Sequence, residues 1–92
     1  MTLDQIFEEQ RLSRCDFLKI DCEGAEYEIL FQASDQTLGK IKHICLEYHD
    51  GVTPYSHEDL AQFLRDKGFR IQMRPNPVHR RLGFLYAANS RV

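Results

Sequence analysis

Asp16-Phe-Leu-Lys-Ile-Asp-Cys-Glu-Gly-Ala-Glu-Tyr-Glu-Ile-Leu30 reads as a strand, a tight turn and the start of a helix in one short stretch. Phe17–Ile20 is an apolar run of strand length, and such runs mark strands buried on both faces of a sheet. Gly24 permits a sharp turn, after which Ala25–Ala33 reads as a helix with Ile29 and Leu30 facing inward. Two acids, Asp21 and Glu23, close the apolar run, and carboxylates there cost stability unless something at that end of the sheet uses them.

The same grammar extends in both directions. Upstream, Thr2 followed by Gln5 predicts a capping box and a helix with Leu3, Ile6 and Phe7 on one face, ending near Gln10. Downstream, a polar stretch Ser34–Lys40 leads to His43-Ile-Cys-Leu-Glu47, a second run predicted to be a strand buried on both faces. Ser56 with Asp59 repeats the capping signature, Leu60, Phe63 and Leu64 form a stripe, and Gly68 is placed to end a helix over His57–Lys67.

In the last quarter, Phe69-Arg-Ile-Gln-Met73 alternates apolar with polar and reads as an edge strand, whereas Phe84-Leu-Tyr-Ala-Ala88 is continuously apolar and reads as an interior one. Pro75–Arg81 between them carries two prolines and basic side chains, which suits a solvated turn and hence an antiparallel hairpin. The expectation is an α/β layer structure in a single domain over residues 1–92, with a largely parallel sheet and the final strand tucked inside a terminal hairpin.

Composition narrows the function classes. A chain of 92 residues with 42% apolar and 28% charged residues has enough apolar surface for one packed core. Residues 1–46 hold nine acids and five bases, residues 47–92 five acids and seven bases, and neither half is basic enough to point to nucleic acid. No apolar run approaches the ~18 residues that span a bilayer, and the start lacks a signal peptide's basic and apolar regions, so no membrane and a cytoplasmic address are expected. Cys15, Cys22 and Cys45 form no C-x-x-C pair and read as small buried side chains.

In an open α/β sheet, ligands bind beyond the carboxyl ends of the parallel strands. Two predicted strands end in acids there: the first in Asp21 and Glu23, the second in Glu47 with His49 and Asp50 just beyond. Asp21 and Glu23 are candidate proton acceptors or positioning groups, and His49, whose ordinary pKa lies near neutrality, is the alternative base. Glu26 and Glu28 are read instead as favourable charges near a helix N-terminus. Arg74, His79, Arg80 and Arg81 read as a solvated turn, and the spacing of the acids and histidines matches no defined metal motif, so no metal is expected.

Thr2-Leu-Asp-Gln, then Phe17-Leu-Lys-Ile-Asp-Cys-Glu-Gly-Ala-Glu-Tyr-Glu-Ile-Leu, then Ile44-Cys-Leu-Glu-Tyr-His together resemble the signature of the FkbM methyltransferases. Cys22 stands where that family usually has valine. The resemblance implies a Rossmann-like class I fold, S-adenosylmethionine as cofactor, and methyl transfer to a hydroxyl of a sugar, polyketide or similar secondary metabolite. It implies catalytic roles for Asp21, Glu23 and His49, and substrate-side roles for Glu47 and Gly24.

The glycine-rich turn that cradles the cofactor in such folds has no counterpart here, since Gly24, Gly39, Gly51, Gly68 and Gly83 make no G-x-G. The chain therefore reads as the C-terminal portion of the domain, with Phe17–Ile20 as an apolar edge open to self-association or to a partner strand. A non-catalytic interaction module built on the same scaffold is the competing reading.

Overall fold

A computed structural model describes residues 2–20, 25–51, 54–79 and 81–90. The elements follow in the order α1 (Leu3–Glu9), β1 (Leu18–Ile20), α2 (Glu26–Phe31), α3 (Asp35–Gly39), β2 (His43–His49), α4 (His57–Asp66), β3 (Phe69–Pro75) and β4 (Leu82–Asn89). Both predicted capping boxes form: Thr2 and Gln5 exchange side-chain to backbone hydrogen bonds at α1, and Ser56 and Asp59 do so at α4. Gly68 ends α4 at φ +98°, a left-handed conformation that a side chain resists.

The four strands form one sheet in the order β1-β2-β4-β3. β1 and β2 are parallel, with Lys19 level with Cys45, while β4 runs antiparallel to both β2 and β3. The sheet is thus mixed rather than largely parallel. The hairpin is as expected, with β4 inside and β3 at the edge, and β1 is the opposite edge.

Helices cover one face of this sheet. Ile44, Leu46 and Tyr48 of β2 and Leu85 and Ala87 of β4 are buried beneath them, joined by Leu60 and Leu64 of α4. Phe31 on α2 meets the Phe63 ring edge-on at 4.9 Å, clamping α2 to α4.

The other face is open, which corrects the expectation of strands buried on both sides. Phe17 is 60% exposed, Phe84 44% and Tyr86 39%, and the residues of β2 alternate between buried and partly or fully exposed. A continuous apolar run indicates a doubly covered strand only when both covering layers are present, and the described residues supply one. Cys15 and Cys45 are accordingly half-buried free thiols rather than buried ones.

Two local readings also shift. The predicted helix Ala25–Ala33 is shorter, and its inward residues are Tyr27 and Leu30, with Ile29 only partly buried. The polar stretch Ser34–Lys40 contains α3, because the Ser34 hydroxyl accepts the Thr37 backbone N–H and Leu38 turns into the core. Among the described residues no helix is long and apolar enough to cross a membrane.

Candidate functional site

Asp21, Glu23 and Gly24, together with Cys22 and Arg80, lie outside the described residues. Glu47 and His49 lie within them. Both project from the open side of β2, where the Glu47 carboxylate sits 3.1 Å from Nε2 of His49. Their spacing of two along a strand puts them on one face, and their side chains are 37% and 15% exposed respectively. Nε2 of His49 therefore faces a carboxylate.

Beyond the end of β2, the chain assembles a second group that the sequence reading did not single out. Tyr27 from α2 donates its hydroxyl to Oδ1 of Asp50 at 2.7 Å, and the His57 backbone N–H donates to the same oxygen at 2.8 Å. The His57 ring, through Nδ1, pairs with Oδ2. The Tyr48 ring stacks on the imidazole with centroids 4.3 Å apart and planes 20° from parallel. One carboxylate thereby joins α2, the end of β2 and the first residue of α4.

Local backbone chemistry explains the placement. The Asp50 N–H donates to the Arg81 carbonyl at 2.8 Å, fixing the end of β2 to the start of β4. Gly51 follows at φ +90°, turning the chain away from the sheet. Ser56 then caps α4 so that His57, its first residue, presents both backbone and ring donors to Asp50.

Burial works against a charged Asp50, yet the hydrogen bonds from Tyr27 and His57 and the charge of His57 outweigh it and hold the carboxyl below its ordinary pKa. Tyr48 moves the other way: burial first, and the Asp50 charge second, raise its phenol. The site thus holds a carboxylate anion beside a ring whose Nδ1 is engaged and whose side chain is still 23% exposed.

The structure brings Glu47 together with His49 and, separately, Asp50 with His57. Asp50 was visible in the sequence as a residue just beyond β2. His57 was legible as a helix start, but only the turn through Gly51 and Pro54 returns it to Asp50. Tyr27 lies three residues before Leu30, the spacing of one helical face, which was the available signal for an inward-facing tyrosine.

A hollow of about 580 Å³ lies elsewhere: Phe17, His43, Arg70 and Tyr86 line it at the amino ends of β1 and β2. A smaller one of about 220 Å³ lies between Lys19, Cys45, Glu47 and Phe84 on the same open face.

Residues 1–71 match the family described as the methyltransferase FkbM domain. Over 79 residues, 83% of this chain, the sequence is 40% identical to AMB antimetabolite synthetase AmbE of Pseudomonas aeruginosa. The chain spans only 4% of the length of that relative. No solved structure matches the chain.

Proposed function

The chain belongs to the FkbM methyltransferase family, and from that premise we propose that it forms the acceptor side of an S-adenosylmethionine-dependent methyltransferase with a Rossmann-like class I fold. The observation that carries this reading is the strand order β1-β2-β4-β3, with a parallel pair whose carboxyl ends precede the acids and a final strand tucked inside an antiparallel hairpin. The acceptor class is a hydroxyl of a sugar, polyketide or similar secondary metabolite, and the likeness to a protein named as an antimetabolite synthetase supports the last of these.

S-adenosylmethionine does not fit the described residues taken alone. Asp50, the acid just beyond β2, is already committed to Tyr27 and His57 and ties α2 to α4. The sequence holds no G-x-G, and the large hollow opens at the amino end of the parallel strands, away from the acids. On this reading the methyl donor is held by strands of a longer polypeptide or of a partner, which join the sheet at the free edge of β1. The cytoplasm is the proposed compartment.

What this chain contributes is the acceptor and its proton. Asp21 and Glu23, which follow β1 in the sequence, are the proposed proton acceptors or positioning groups, with His49 as the alternative base. Glu47 and Gly24 take the substrate side, and Glu47 orients His49 through Nε2.

A non-catalytic interaction module is the second reading, favoured by the structural use of Asp50 in joining α2 to α4 and by the exposed aromatic face. Calorimetric titration of S-adenosylmethionine into the chain tests the division of labour: no saturable heat is expected, and micromolar binding would overturn it. Assaying methyl transfer by a polypeptide that carries this segment in its native surroundings separates the two readings. Cofactor-dependent methylation of a hydroxyl acceptor supports the enzyme, and a native protein that binds no cofactor supports the module.

A further inference from the structure

The His57 ring is fixed in position and in plane. Nδ1 pairs with Oδ2 of Asp50 while the backbone N–H donates to Oδ1 at 2.8 Å, so the imidazole cannot turn without giving up the carboxylate. The buried Tyr48 ring stacks on it at 4.3 Å. Tyr27, also buried, donates to Oδ1 at 2.7 Å and fixes the carboxylate in turn. Among the described residues nothing bonds Nε2 of His57, and the side chain is 23% exposed. A carboxylate at Nδ1 favours a proton on that nitrogen in the neutral ring, which leaves a lone pair for Nε2.

We propose that His57 is a further catalytic residue of the methyl transfer: its Nε2 takes the proton of the acceptor hydroxyl, and Asp50 is the positioning residue behind it. This rests on the methyltransferase reading above and leaves Asp21 and Glu23 the positioning share of their role. As the acceptor oxygen forms its new bond to the methyl carbon, the bond from that carbon to the sulfur of a sulfonium donor breaks, and its electron pair stays on sulfur. The hydroxyl proton moves to Nε2. Asp50 stabilises the resulting imidazolium across Nδ1, and the Tyr48 ring does so from its face. The imidazolium then releases the proton to water and the ring returns to its neutral form.

A purely structural role explains less of this arrangement. The Tyr27 hydroxyl and the His57 backbone N–H already join α2 and α4 to Asp50, and every residue but proline offers that N–H. What histidine adds is a ring with a second nitrogen. His49, the other imidazole at this end of β2, has Glu47 at its Nε2, whereas His57 has its carboxylate at Nδ1 and keeps Nε2 open. Although burial opposes its charge, the hydrogen bonds from Tyr27 and His57 keep Asp50 ionised at neutral pH. The place agrees as well, since Asp50 directly follows β2 at the carboxyl end of the parallel pair, where ligands of such sheets bind.

Two measurements test the assignment. In the isotope-labelled chain, long-range proton–nitrogen correlation spectra recorded above the ordinary imidazole pKa report which ring nitrogen carries the proton. His57 is expected to carry it on Nδ1, and a proton on Nε2 would overturn the proposal. In a catalytically active polypeptide containing this segment, His57→Asn keeps an amide donor near the place of Nδ1 and removes Nε2. It should lower kcat by about 10²–10⁴-fold with little change in KM or melting temperature. In His57→Ala, imidazole added to the buffer should restore part of the lost rate, which a merely structural role would not give. Turnover within about twofold of the parent in His57→Asn, or a loss that follows melting temperature and is not rescued by imidazole, would sink the role of His57 and leave the methyltransferase reading standing. A parent polypeptide that transfers no methyl group would remove that reading and this one with it.

Discussion

Asp50 and His57 hold each other twice, once through the backbone N–H of His57 at 2.8 Å and once through its ring Nδ1. Because Tyr27 donates to the same carboxylate, three elements depend on one side chain. Replacing it by Asp50→Ala leaves the Tyr27 hydroxyl and the His57 donors without their acceptor. The expected cost is about 2–4 kcal/mol, several times that of an exposed ion pair, read as a lower urea midpoint at unchanged slope.

Acid should weaken the fold through the same group. The folded carboxyl of Asp50 is held below its ordinary value of 3.8, so the unfolded chain takes up the proton first as pH falls. The stabilisation is present in full well above 3.8 and is lost as pH falls through the lower folded value. Asp4, lowered chiefly by the Ser34 backbone N–H, adds in the same direction and the same window. Thermal melts between about pH 7 and pH 2 should show the loss concentrated below about pH 4, and Asp50→Asn should flatten that dependence.

Gly83 faces Tyr48 across the β2–β4 pair, and a Cβ added there would overlap the Tyr48 phenol. Since Tyr48 is buried and carries the His57 ring on its face, Gly83→Ala must displace the stack or push β4 outward. Overpacking of this kind costs about 1–3 kcal/mol, or roughly 4–20 °C in Tm for a domain of this size. A melting temperature equal to the parent's would mean that Tyr48 has another place to go.

Asn89 closes the opposite end of the sheet. Its buried amide donates to the carbonyls of Leu38 and Ile41 at 3.3 and 3.1 Å, tying the end of β4 to α3 and to the start of β2. Asn89→Ala, which removes the amide without overfilling the site, leaves both carbonyls without this donor and should cost about 1–3 kcal/mol in chemical denaturation.

These positions show what was legible in the sequence. Capping boxes at Thr2 and Ser56, the stop at Gly68 and the hairpin across Pro75–Arg81 are local signals, set by residues within a few positions of one another, and all four appear in the fold. Phe84 and Tyr86 misled because apolar composition does not say whether a second layer covers them. The Tyr27–Asp50–His57 contact was illegible because it spans 23 residues and needs the packing of α2 beside α4 to exist. Glu47 and His49 were legible as a pair because strand alternation puts residues two apart on one face.

That pair also separates the two proposed bases. Glu47 faces Nε2 of His49, which favours a proton on that nitrogen in the neutral ring. If His49 takes the acceptor's proton, His49→Gln in a catalytically active polypeptide containing this segment should lower kcat by about 10²–10⁴-fold, and Glu47→Gln, which keeps a hydrogen-bonding group at Nε2, should lower it less. If Asp21 is the base, Asp21→Asn carries that loss instead, and His49→Gln changes KM more than kcat. Turnover kept within about twofold in both Asp21→Asn and His49→Gln would remove both residues from proton transfer and leave Glu23 and His57 as the groups to test.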